Sequence, residues 1–264
     1  MKKIFVVILI FSLLTFTLSD DDDNNYTTED IKIMQDSISK VLPVLKDILN
    51  DLQDVDTEEG KLLKEILDKV YSTLYLLSPV LDKDPETFLK ALQALGTKFF
   101  KLSVYFERIV TSYPYDFLLN VEIDLLTNEK IIKLLESCKD DVLYLFKKGF
   151  YEDYTYVDIF SEIYPNILGL LRTDDFKEFI KKCSLIFLYN NLDHNQFSQE
   201  YDVKELGEEA KKIFNDKIIN NEDYKKCLDK ISEKISYLSH DMLNYYVLML
   251  IDSLVKNKLF IEID

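Results

Sequence analysis

From Asp84 to Val110 the chain repeats one pattern. Phe88, Leu92, Leu95, Phe99, Leu102, Phe106 and Ile109 recur at alternating steps of four and three. That spacing lines apolar side chains along one face of an α-helix and holds for about three heptads. The start is encoded as well. Asp84 can accept a hydrogen bond from a free backbone amide, and Pro85 sits where a missing N–H costs nothing. The spacing predicts one long helix with a side committed to burial.

Two more seams of the same kind lie upstream. Ile31, Met34, Ile38, Val41, Leu45, Ile48 and Leu52 form the first, with Thr27 or Thr28 as its cap and Pro43 expected to kink or split it. Leu63, Leu67, Val70, Leu74 and Leu77 form the second, opened by Thr57 and closed by Ser78-Pro79. Three seams with short connections predict an antiparallel three-helix arrangement over 27–112. Tyr113-Pro114 is the expected boundary of a C-terminal helical subdomain, 113–264.

Downstream, Thr127 is read as the cap of a helix carrying Ile131, Leu135, Cys138, Val142 and Leu145, closed by Lys147, Lys148 and Gly149. Val157, Phe160, Ile163 and Ile167 mark another, with Pro165 inside it. Thr173-Asp174-Asp175 opens a helix whose apolar face reads Phe176, Ile180, Cys183 and Phe187. Asn190 to Tyr201 is polar and is the longest expected loop. Val203–Ile218 is amphipathic, Asn221 begins a further helix, and Met242–Val255 is the most apolar of all. Cap residues at Asp84, Thr127, Thr173 and Asn221 lie 43, 46 and 48 apart, but only the last two units resemble each other, so an irregular bundle is favoured over repeats. Only five Gly and five Pro occur, too few for the turns of a β-sandwich or for a Gly-rich phosphate loop. The fold class is all-α, with about nine or ten amphipathic helices.

The N-terminus bears on compartment. Lys2 and Lys3 precede an apolar run, Ile4–Leu18, that is short for a membrane span and suited to a secretory signal. Thr17 and Ser19 fit the small-residue positions before a cleavage after Ser19. Residues 1–19 are therefore expected to be a signal peptide and 20–26 an acidic flexible segment, in a secreted protein with no membrane span after cleavage. Asn25-Tyr26-Thr27 makes Asn25 a glycosylation candidate.

Charge narrows the partners. The formal charge is −16, and removing Lys2 and Lys3 with the signal makes it −18. Arginine occurs only at Arg108 and Arg172. Nucleic acid and anionic membranes are poor partners for such a chain. A protein partner, basic by complementarity, fits better.

Motifs that carry chemistry are thin. Cys138, Cys183 and Cys227 are an odd set, read as buried small hydrophobes, as one disulfide with a thiol left over, or as the link of a disulfide-bonded dimer. They have no Cys-x-x-Cys spacing for redox work or zinc. Asp54, Asp56, Glu58 and Glu65 match four positions of an EF-hand loop, yet Glu59 stands where the turn glycine belongs and Gly60 comes one residue late. His194, His240-Asp241 and Asp252 follow the order of a helical phosphohydrolase metal site, but Asp252 comes too soon and the histidines are too few. No Gly-x-Ser-x-Gly turn exists for a serine hydrolase. Tyr113, Tyr115, Tyr151, Tyr154, Tyr156 and Tyr164 cluster mid-chain, as helix-packing residues or as a binding surface. The expectation is a non-enzymatic protein, without cofactor or metal, that binds another macromolecule. A carrier of a lipid or other apolar ligand between amphipathic helices is the alternative, and an enzyme of unfamiliar type comes third.

Overall fold

A computed structural model describes residues 27–141 and 154–222, with 224–226 and 229. Every regular element among them is helical. The first, α1 (Thr28–Asp51), opens with a capping box. The Thr27 hydroxyl accepts from the Asp30 amide at 3.2 Å, and the Asp30 carboxylate accepts from the Thr27 amide at 2.9 Å. Pro43 does not split this helix: its ring is on the solvent side and the helix continues through it. Next comes α2 (Glu58–Tyr75), capped by the Thr57 hydroxyl through the Gly60 amide. All five of its predicted seam residues, Leu63 through Leu77, are buried.

The Asp84–Val110 seam is not one helix. It forms α3 (Pro85–Ala94) and α4 (Gly96–Ser112), separated at Leu95. There the Leu95 amide is shared between the Ala91 and Leu92 carbonyls, and the Lys98 amide reaches back only three residues to Leu95. Gly96 supplies the weak point, because glycine lowers helix stability by up to about 1 kcal/mol relative to alanine. The break leaves the seam's register intact. Phe88, Leu92, Phe99, Leu102 and Ile109 are all buried, while Leu95 and Phe106 are half-buried. Asp84 caps α3 as the sequence predicts, accepting from the Thr87 amide at 3.0 Å.

After Tyr113-Pro114 come α5 (Tyr115–Leu126) and α6 (Glu129–Ser137). The cap of α6 is Asn128, not Thr127. Asn128 accepts from the Lys130 amide, while the Thr127 hydroxyl donates back to the Ile123 carbonyl and closes α5. One buried core runs from Ile31 to Leu134 and includes Val121 and Leu125 of α5 and Ile131 of α6. The core therefore passes straight through the Pro114 break.

Helix α7 (Tyr154–Leu171) continues through Pro165, and α8 (Asp174–Asn191) follows a two-residue gap. The Thr173 hydroxyl does not cap α8; it donates to the Leu170 carbonyl. Arg172, between the two helices, clamps them to α6. Its guanidinium makes two bonds to Glu136, at 2.8 and 2.9 Å, and one to Glu129 at 3.0 Å. These bonds hold both carboxyls below the usual range and the guanidinium above its own. Last is α9 (Val203–Ile213), which runs on into a π-turn at Phe214–Ile218. It packs on α8, and α8 packs on α5.

The predicted inner face of α8 is not its buried one. Cys183 and Phe187 are exposed, and Phe176 and Ile180 are half-buried. The buried positions are Leu185 and Tyr189. The apolar run Leu185–Tyr189 puts apolar side chains on several sides at once, so spacing alone could not choose between them. Of three positions flanking the opening seam, Ala91 and Tyr105 are half-buried against the N-terminal core and Lys98 is exposed. The halves of the chain meet through α5 and α6 instead.

Candidate functional site

Among the described residues, the most developed polar cluster lies where the loop after α8 crosses the start of α5. Asp116, in the first turn of α5, is only 7% exposed. One carboxylate oxygen accepts from the Ser198 amide at 3.0 Å. The other accepts from the Ser198 hydroxyl and, at 2.8 Å, from the Tyr201 hydroxyl. Burial pushes the Asp116 pKa up, but these donors outweigh it and hold the carboxyl below its ordinary range. A carboxylate in the first turn also meets the positive end of the helix. Conversely, burial and the bond to Asp116 push the Tyr201 phenol up.

A cage of aromatic rings adjoins this carboxylate through Tyr201 and through the chain neighbours Tyr115 and Phe197. Phe197 stands edge-on to Tyr115 at 5.4 Å and to Tyr189 at 5.0 Å between centroids. Tyr201 meets Tyr189 edge-on at 5.6 Å. His194 lies flat on Tyr189 at 4.0 Å, and its Nε2 is 2.8 Å from the Tyr189 carbonyl oxygen. The short helical turn His194–Gln196 is capped by Asp193 and presents Phe197 to the cage.

Serine, histidine and aspartate thus stand in one neighbourhood, but not as a catalytic triad. The Ser198 hydroxyl donates directly to Asp116, with no imidazole between them. The His194 nitrogen is engaged by a backbone carbonyl. A carboxylate stabilised in its ionised form is also a weak base. Such a cluster fastens a long loop to the helix pair α5–α8, and does not activate a nucleophile.

Other candidates fall apart on inspection. Asp54, Asp56 and Glu58 are exposed, and Glu58 pairs with Lys61 at 2.9 Å. Gly60 has a packing role: a Cβ there would collide with the Val55 side chain and come within 2.9 Å of the capping Thr57 hydroxyl. Among the described residues no group of three or more His, Cys, Asp or Glu could hold a metal ion. Cys138 is half-buried, Cys183 exposed, and both are free thiols, so they do not pair with each other. Burial pushes both thiols above their ordinary pKa. Cys227, Asn25, His240, Asp241 and Asp252 lie outside the described residues, as do the side chains of Tyr151, Tyr154 and Tyr156.

The remaining mid-chain tyrosines pack. Tyr113 stacks on Phe117, and the buried Tyr164 donates to the Leu135 carbonyl at 2.9 Å, burial lifting its phenol to about 12. Asp116, Ser198 and Tyr201 carried no signal in the sequence as a set, because 82 to 85 residues separate the partners. No protein-family model, curated protein or solved structure matches the chain.

Proposed function

We propose that this is a secreted, non-enzymatic protein that binds another macromolecule through its acidic helical surface, a basic protein being the favoured partner. The observation that carries this is where the charge sits. Of the described acidic side chains only Asp30 and Asp116 are buried, so nearly all of that negative charge faces water. Net charge of this size steers association at long range and selects partners of opposite sign. The internal polar machinery described above serves packing: Asp116 fastens a loop and Arg172 ties three helices together. The basic, apolar N-terminus supports secretion.

The test is capture of partners by the purified mature chain from the medium of cells that express it, followed by affinity measurement. The expected partner is a basic protein whose affinity falls steadily between about 0.05 and about 0.3 M salt. A partner bound equally well across that range would overturn the reading.

A further inference from the structure

We infer that the outer face of α4 is a second docking surface, distinct from the acidic one, built to take an amphipathic helix with an acidic flank from a protein partner. This rests on the reading of the protein as a binding protein, and adds to it. Phe100 is 69% exposed and Val104 is 38% exposed, one helical turn apart on the same side of α4. On that helix the buried residues Phe99, Leu102 and Ile109 belong to the N-terminal core, with Leu102 and Ile109 on the side opposite Phe100. A phenylalanine held mostly in water one turn from an exposed valine is the i, i+4 ridge against which an incoming helix lays its apolar stripe.

Charge decides which helix. Lys101 and Arg108, seven residues apart, line one flank of this ridge and are exposed. Neither has an ion-pair partner among the described residues. Glu107 is exposed on the other flank. On this face of α4 (Gly96–Ser112) Lys101 and Arg108 stand against Glu107, a local excess of positive charge in a chain of net −16. Two unpaired cations beside a bare aromatic side chain complement carboxylates at matching seven-residue spacing, and Arg108 can bind one through both its nitrogens. A second copy of the chain and an anionic bilayer fit less well, since each brings a large negative surface against the rest of this molecule.

The test uses the full mature chain and two labelled synthetic helical peptides. Both carry leucines at i, i+4 spacing; one has glutamates along a flank and the other lysines. Fluorescence anisotropy reads the affinities. The glutamate peptide is expected to bind, and Phe100→Ser or the pair Lys101→Glu with Arg108→Glu to weaken it at least about tenfold. Any binding of the lysine peptide to the wild-type chain belongs to the acidic surface and should not respond to Phe100→Ser. Absence of lysine-peptide binding to the wild-type chain therefore counts against the acidic-surface reading and not against this one, whereas lysine-peptide binding that Phe100→Ser abolishes overturns this one. Hydrogen exchange on the unmutated chain supplies a readout independent of variant folding: the glutamate peptide should protect α4. Glutamate-peptide affinity indifferent to these substitutions, or protection elsewhere, would overturn the proposal. A dimer in sedimentation that Phe100→Ser dissolves would assign the face to a second copy. Phe100-dependent pelleting with phosphatidylserine vesicles would assign it to a bilayer. Either result overturns the proposal too.

Discussion

Replacing Asp116 probes a single buried group that ties two distant parts of the chain together. Its carboxylate takes three hydrogen bonds, from the Ser198 amide, the Ser198 hydroxyl and the Tyr201 hydroxyl. A hydrogen bond to a charged group contributes about 1.5–3 kcal/mol. The three do not add, because they share one acceptor and Ser198 is exposed enough to find water. Asp116→Ala should then destabilise the fold by about 3 kcal/mol, and Asp116→Asn, which keeps one acceptor oxygen, by about 1–2 kcal/mol. The pH dependence has a definite sign. The folded carboxyl titrates below its ordinary value of 3.8. Its contribution is therefore complete above that pH and is lost as pH falls through the depressed folded value. Urea unfolding of wild type and Asp116→Asn should show a constant gap from neutral pH down to about 5 that closes in stronger acid. Hydrogen exchange at the Ser198 amide should rise in both variants. A gap under about 0.5 kcal/mol at neutral pH, with Ser198 still protected, would refute the assignment of Asp116 as the fastening group.

Other consequences are simpler to check. Phe88 is fully buried, so Phe88→Ala should cost about 3–5 kcal/mol in chemical denaturation, while Phe100→Ala on the outer face should change stability by under about 0.5 kcal/mol. Gly60→Ala should destabilise by about 1–2 kcal/mol despite alanine's better helix propensity, because the new methyl meets Val55 and crowds the Thr57 cap. The exposed Cys183 should react with a thiol reagent well before the half-buried Cys138, both faster as pH rises toward their elevated pKa values. Native mass spectrometry should show the protein without a bound lipid, which separates it from the carrier reading.

The sequence showed which residues face inward in the N-terminal half with little ambiguity. Seams of strict three-and-four spacing point to one helical face, and most of their residues in α1 through α4 are buried; Leu42, Leu62 and Ile66, beside the seams, are buried too, because neighbouring helices cover a face wider than the seam. The break at Leu95 is not legible in the sequence, because an unbroken apolar register masks a single glycine, and register survives a small local unwinding. The cap of α6 lies one residue past the position the sequence favours, because Thr127 and Asn128 are both good caps and only the backbone decides which hydroxyl or amide is turned inward. In α8 apolar residues crowd several faces, so burial there depended on what packs against it. The Asp116 cluster was invisible for a different reason. An aspartate after Tyr-Pro, a polar loop and two tyrosines are each ordinary, and only the docking of α8 on α5 brings them together.

The central claim is that exposed negative charge selects the partner. The most direct measurement is the affinity of the captured partner by calorimetry across salt, for wild type and for Asp47→Asn, Asp54→Asn and Asp56→Asn together. These three carboxylates are exposed and without ion-pair partners among the described residues. The account predicts an affinity that drops with salt, and a shallower salt slope in the triple variant. An affinity unchanged from about 0.05 to about 0.3 M salt, equal in both proteins, would contradict it.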